Sequence, residues 1–282
     1  MRLFCIFLLI PSAAAASPDI VQRASQLYQH TDYENSLRVL AADPRPDAAD
    51  HFLSGQNYFM SGDYNKAIAS FEKAVGIAPG NSDYELWLGR AWGRRAETGS
   101  WVTAMSAASK ARQCFEKAVA LDPHNHEAKN DLFTFYLNAP AFLGGGMDKA
   151  EAAARSIARE RPAEYESEEA QLADRKKDFA AGEAHLRRSM ELAPSEPGRV
   201  LDLARYLAKR GRFEESDALF ERAGKMAPGQ PKVVFAIASA HIETRRNLEE
   251  ARRLLRDYLH AGLTPDDPPR QEAEKLLRRA GA

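Results

Sequence analysis

Cysteine is scarce, with two in 282 residues, Cys5 and Cys114, and that rules out a disulfide-stapled framework. Charge of one sign is missing as well: 39 Lys and Arg stand against 40 Asp and Glu, mixed along the chain. Nucleic-acid binding rests on clustered cations that neutralise phosphates, so this balance argues against a nucleic-acid partner. Long apolar runs are lacking, because the stretch at residues 3–10 falls far short of the roughly 20 residues that cross a bilayer. Catalytic signatures are absent too. LGGGMDK is glycine-rich and ends in Lys149 but lacks the G-x-x-x-x-G-K-[ST] spacing of a phosphate loop, HEAKN at 126–130 is not H-E-x-x-H, and no G-x-S-x-G occurs.

The chain opens with MRLFCIFLLIPSAAAAS. Arg2 provides a positive start, residues 3–10 an apolar core, and Ala14, Ala15 and Ala16 a small-residue cleavage site. Together these describe a secretory signal peptide at 1–16. The expected mature chain is exported to the bacterial periplasm or cell envelope and carries no integral membrane segment. Cys114 is then its one thiol. With no neighbouring cation or metal-ligand spacing, that residue reads as a small buried hydrophobe.

One phrase is written twice. SGDYNKAIASFEKAVGIAP at 61–79 is echoed by SKARQCFEKAVALDP at 109–123, and Pro79, Pro123, Pro162, Pro194 and Pro228 each close a segment of helical pattern at spacings of 44, 39, 32 and 34. Fixed-period similarity of this kind marks stacked supersecondary units. The best block has Gly55 and Tyr58, then Ala67, Phe71, Ala74 and Pro79. The next has Leu88, Gly89 and Trp92, then Ala111, Phe115, Ala118 and Pro123, and a later one keeps Ala204, Leu207, Phe220, Ala223 and Pro228. These positions resemble the tetratricopeptide repeat, whose period is about 34 residues. The resemblance implies an all-α fold: a right-handed solenoid of about seven helix pairs over 17–262, closed by a capping helix within 263–282. Small residues would sit where paired helices cross, and the large ones would fill the space between pairs.

Two blocks depart from the period. The interval from Gly89 to Ala111 is 22 residues where Gly55 to Ala67 spans 12, so residues near 93–108 are inserted. Gly99 and Ser100 mark a helix end and a helix start there, which predicts two lengthened helices. The next block is stretched through 139–145, where Pro140 ends a helix and Gly144 to Gly146 allow a turn. Turns within pairs emerge on one edge of such a solenoid. The two insertions are therefore expected to form one projection carrying Trp101, Phe142 and Leu143. The phrase APAFLGGGMDKA is similar to exported bacterial tetratricopeptide proteins without assigned chemistry.

In this family partners bind along the concave face. The resemblance places Phe52, Gln56, Phe59 and Met60 there, with Leu86, Arg90 and Arg94, then Asn130, Thr134 and Asn138, and later Gln171, Arg175, Leu201, Arg205 and Lys209. Phe52 and Leu86 stand where the family's chaperone-tail binders carry polar clamp residues, which argues against capture of a terminal carboxylate. Apolar anchors with scattered Arg imply a protein or peptide partner bearing acidic groups. The expected function is a non-catalytic binding scaffold with no cofactor and no metal. Two other readings stay open: metal-assisted chemistry through His124 and His126 in the insertion region, and a purely structural, self-associating module. The sequence also leaves open whether groove or projection is the binding surface.

Overall fold

The turn inside four of the seven helix pairs is built the same way. In the computed structural model, which describes residues 18–281, Asp32, Asp63 and Asp178 each cap a second helix by accepting a hydrogen bond from a backbone N–H three residues on. The residue before each cap (Thr31, Gly62, Lys177) is left-handed, as is Gly211 before Arg212. The chain thereby reverses in three residues and lays each second helix antiparallel to its first.

Fifteen α-helices result among the described residues. The first pair is α1 (Pro18–Gln29) and α2 (Tyr33–Ala41), followed by α3 (Ala48–Met60) with α4 (Tyr64–Ile77) and α5 (Ser82–Thr98) with α6 (Trp101–Leu121). Then come α7 (His126–Asn138) with α8 (Met147–Arg155), α9 (Pro162–Arg175) with α10 (Phe179–Leu192), α11 (Pro197–Lys209) with α12 (Phe213–Met226), and α13 (Pro231–Glu243) with α14 (Leu248–His260). A last helix, α15 (Arg270–Arg279), packs on α13 and α14. Seven pairs and a cap agree with the repeat reading. The expected signal peptide at 1–16 lies outside the described residues.

Odd-numbered helices touch one another at several steps of the stack (α1 with α3, α3 with α5, α5 with α7, α11 with α13), whereas the even-numbered ones make no comparable mutual contact. A stack whose one layer is in closer contact curves toward that layer, so the odd helices line the concave face. Between layers the repeat residues pack as expected. Phe71 is fully buried and Phe115 and Phe220 nearly so, with Ala67, Ala111, Ala204 and Ala223 closed off beside them. Gly55 is required at its crossing: a Cβ there would lie 2.5 Å from the Phe71 ring. Serines replace the alanine of that position in two pairs. Ser36 Oγ donates to the Ala24 carbonyl at 2.8 Å and Ser216 Oγ to that of Ala204 at 2.9 Å. Asn57, wholly buried, donates to Ser36 Oγ at 3.0 Å and so joins the first pair to the second.

The insertion near 93–108 is helical, and the one at 139–145 is a turn. With 17 and 21 residues, α5 and α6 outreach α3 and α4, which have 13 and 14. The chain leaves α7 at Ala139, makes a 3-10 turn at Ala141–Leu143, and enters α8 through Gly144, Gly145 and Gly146. Gly145 has no room for a side chain, since a Cβ would fall 1.9 Å from the Ala139 carbonyl oxygen.

Candidate functional site

The two insertions meet. The far half of α5, the near half of α6 and the turn after α7 border an open pocket of about 580 Å³, lined by Phe59, Arg94, Ala108, Phe115, Thr134 and Leu143 among others. Groove residues from three first helices therefore share one space with a residue of the projection. Phe142 points away from the packed interior and is 74% exposed. Trp101 opens α6, and its side chain lies outside the described residues.

Several expected groove residues are used internally. Leu86 is 1% exposed and packs with Ala111, Phe115, Ala118 and Leu132, so it belongs to the core and not to the groove surface. The helical period places it on the flank of α5 that faces α6 and α7. Phe52 is half-buried in an aromatic cluster, 4.6 Å from Tyr84 and 5.7 Å from Phe71 between ring centroids. The cluster continues through Trp87, whose ring meets Phe59 edge-on at 5.4 Å. Gln56 and Asn130 are half-buried and do not border this cavity. Arg205 borders a separate cavity of about 420 Å³ between α9 and α11, with Arg175, Lys209 and Arg210.

The two groove arginines differ in how far their charge is spent. Arg90 Nε donates to Asp131 at 2.5 Å and Nη2 to Glu127 at 2.8 Å, and its guanidinium lies 5.2 Å from the Trp87 ring centroid. Burial pulls its pKa down, but the two carboxylates outweigh that and hold it above the ordinary arginine value. Arg90 thus ties α5 to α7. Arg94 donates to Tyr64 Oη at 3.2 Å and Glu97 at 2.5 Å, and its side chain keeps 41% exposure. It is the arginine with donors to offer a ligand. Sequence spacing missed the Arg90 pairing, because Asp131 and Glu127 are about forty residues away and only the stacking of α5 on α7 brings them in.

Chemistry is sparse elsewhere. Cys114 is half-buried, and burial pushes its thiol up to about 12, so it carries little thiolate. His124 and His126 approach Glu160 at 3.5 and 3.6 Å, yet among the described residues no group of three or more His, Cys, Asp or Glu is arranged to hold a metal ion. No described helix is long and apolar enough to cross a membrane.

Stacked helix pairs, a concave inner layer and a cavity on that layer define the class: an all-α repeat solenoid. Family models of the tetratricopeptide repeat match residues 48–81 and 201–268. Over these two stretches the chain carries tetratricopeptide repeats. Among solved structures it is similar to a tetratricopeptide repeat protein from Parabacteroides merdae, at 13% identity over 94% of this chain and 98% of that one, with a TM-score of 0.59. It is also similar to a thermophilic repeat protein of Thermus thermophilus, at 21% identity over 71% of this chain and 98% of the other, with a TM-score of 0.52. At such identities the likeness speaks for the fold alone. No curated protein sequence matches the chain.

Proposed function

We propose that the protein is a non-catalytic scaffold, exported to the bacterial periplasm or cell envelope, that holds a peptide segment of a partner protein where the concave groove meets the projection. The observation that carries this reading is the cavity shared by Phe59, Arg94 and Thr134 of the inner layer and Leu143 of the insertion. Its walls are apolar, from Phe59, Phe115, Phe135 and Leu143, and Arg94 stands at hand with partly free donors. That combination suits an apolar anchor residue flanked by an acidic one, the common design of small buried hot spots inside a polar rim. Thr134 and Phe142 are exposed without being structural. The leader pattern at 1–16 supports export, and a chain that keeps Met1 and stays in the cytoplasm would remove that part of the reading.

The test is a cross-linking pull-down from the cell-envelope fraction, comparing residues 17–282 with a Thr134→Arg, Leu143→Asp double variant. Both changes fill or charge the cavity at positions outside the core, so melting should stay close to that of the parent. The expected outcome is one partner captured by the parent and weakened at least tenfold in the variant, which corresponds to about 1.4 kcal/mol. Equal capture by both would sink the proposal.

A further inference from the structure

The α1–α2 turn and the segment after α14 meet, although some 230 residues separate them. A small cleft of about 140 Å³ has Thr31 and Tyr33 on one side and Leu263, Pro268 and Gln271 on the other. Beside it lies a larger chamber of about 1030 Å³, with Phe59, Trp87 and Arg94 on one wall and Pro265, Asp266 and Glu272 on the opposite one. The groove over the first three pairs is therefore walled by the segment that leads into α15. Charges of both signs line this chamber: Arg90 and Arg94 with Glu97 on one wall, Asp266, Asp267 and Glu272 with Lys232 and Lys275 on the other. Glu272 raises the pKa of Arg94, after the larger effects of burial, Tyr64 and Glu97. Tyr33 is pushed up to about 12 by burial, against a downward pull from Arg270 and with Asp267 adding to the rise.

The seam between the turn and that segment is nevertheless thin. The polar bonds of residues 263–275 stay within the last pair and its cap: Tyr258 Oη donates to the Pro268 carbonyl, Arg270 to the carbonyls of Leu259 and Ala261, and Thr264 to Asp267. Among the described residues no hydrogen bond or ion pair joins them to α1 or α2. Consecutive pairs, by contrast, are tied by buried bonds such as Asn57 to Ser36 and by the Arg90 to Asp131 pair. An interface held by shape and weak electrostatics opens at lower cost than one held by a packed core. Hinge flexing distributed over the successive pair-to-pair interfaces would part the seam without breaking any of them.

We infer that the meeting of residues 263–275 with the α1–α2 turn is a clasp across the groove, and that a partner seats fully against the Phe59–Trp87–Arg94 wall, of which Arg94 is already partly exposed, only when this seam parts. The inference rests on the groove being the binding surface, but the movement itself can be read with no partner present. Closure is favoured by Asp266 and Glu272, the latter shared with Lys275, facing the Arg90 and Arg94 side of the wall, and a ligand carrying carboxylates competes for the same Arg94.

Pulsed electron-spin measurements on residues 17–282 test it, with Cys114→Ala, spin labels at His30→Cys and Gln271→Cys, and folding checked by circular dichroism. The parent should give a short main distance. Asp266→Lys with Glu272→Lys should add a population longer by about 10 Å, roughly one helix diameter. Raising salt to 1 M, where the screening length falls to about 3 Å, should do the same in the unmutated charge background. A distribution unmoved by both treatments overturns the clasp. Joining the two cysteines with a short thiol-reactive linker should then abolish capture in the pull-down, and capture that survives the linker also overturns it. If the parent captures nothing, the groove reading fails while the distance measurement still decides whether the seam moves.

Discussion

Phe71 and Glu168 are opposite cases of burial. Phe71 is wholly buried and faces Gly55, so Phe71→Ala should cost roughly 3 to 5 kcal/mol, from lost transfer energy plus the cavity left behind. Thermal or urea denaturation measures it, and near-parental melting would mean that the repeat register is wrong. Glu168 on α9 is 2% exposed and neither carboxylate oxygen has a hydrogen-bond partner. Burial pushes its carboxyl up to about 8, with Glu164 and Glu169 adding to the rise and Arg199 opposing it. The unfolded chain releases this proton near 4.5 and the folded chain holds it to about pH 8. The group's contribution is therefore intact below pH 4.5 and is lost progressively as pH rises from 4.5 to 8. Glu168→Met should flatten that decline and add about 1 to 3 kcal/mol at pH 8, as removal of an unpaired buried polar group does. Denaturant midpoints across the pH range would show it. A sequence pattern gives no notice of this residue: a Glu on a helix reads as solvated until the neighbouring pair is stacked over it.

The tight turns are the feature that helices share. Four turns place one left-handed residue before the cap of the second helix, and two use glycine (Gly62, Gly211) while two use Thr31 and Lys177. A side chain in that region costs about 1 to 2 kcal/mol, and glycine gives back part of this through its freer unfolded chain. Lys177→Gly should therefore stabilise by about 0.5 to 1 kcal/mol, visible as a raised urea midpoint. Gly145→Ala should act the other way. Its methyl group would collide with the Ala139 carbonyl, so the turn after α7 must move, at a cost of about 1 to 3 kcal/mol, and the cavity bordered by Leu143 should lose affinity for the partner even where the fold survives. The Gly62-Asp63 and Gly211-Arg212 turns were readable in the sequence because glycine marks them. Those at Thr31 and Lys177 were not, since nothing in either residue type asks for a positive φ.

As a whole the molecule is one-dimensional: each pair leans on its neighbours and the last is closed by α15, whose Ala273, Leu276 and Ala280 bury against Leu255, Tyr258 and Leu263. Damage should spread by proximity along the stack. Leu276→Ala is expected to lower hydrogen-exchange protection in α13 and α14 and leave α3 to α6 unchanged. Uniform loss of protection would show that the array unfolds as one unit. Ion pairs are numerous but mostly exposed and local, as with Arg38 to Glu34 and Lys225 to Glu221, so salt should shift global stability little.

The all-α class, the pair count, the two insertions and the cap could be had from the order of amino acids alone, because each is written in local periodicity, turn residues and a repeated phrase. Which arginine remains available was a matter of tertiary structure: Arg90 and Arg94 look alike in the repeat, and only the stacking of α5 on α7 brings Asp131 and Glu127 to the first and leaves the second partly free. The same holds for Leu86, whose place in the core depends on the flank that α5 turns toward its neighbours. The approach of residues 263–275 to Thr31 and Tyr33 is decided last, since it depends on small rotations accumulated over seven pairs, a sum that no single repeat contains.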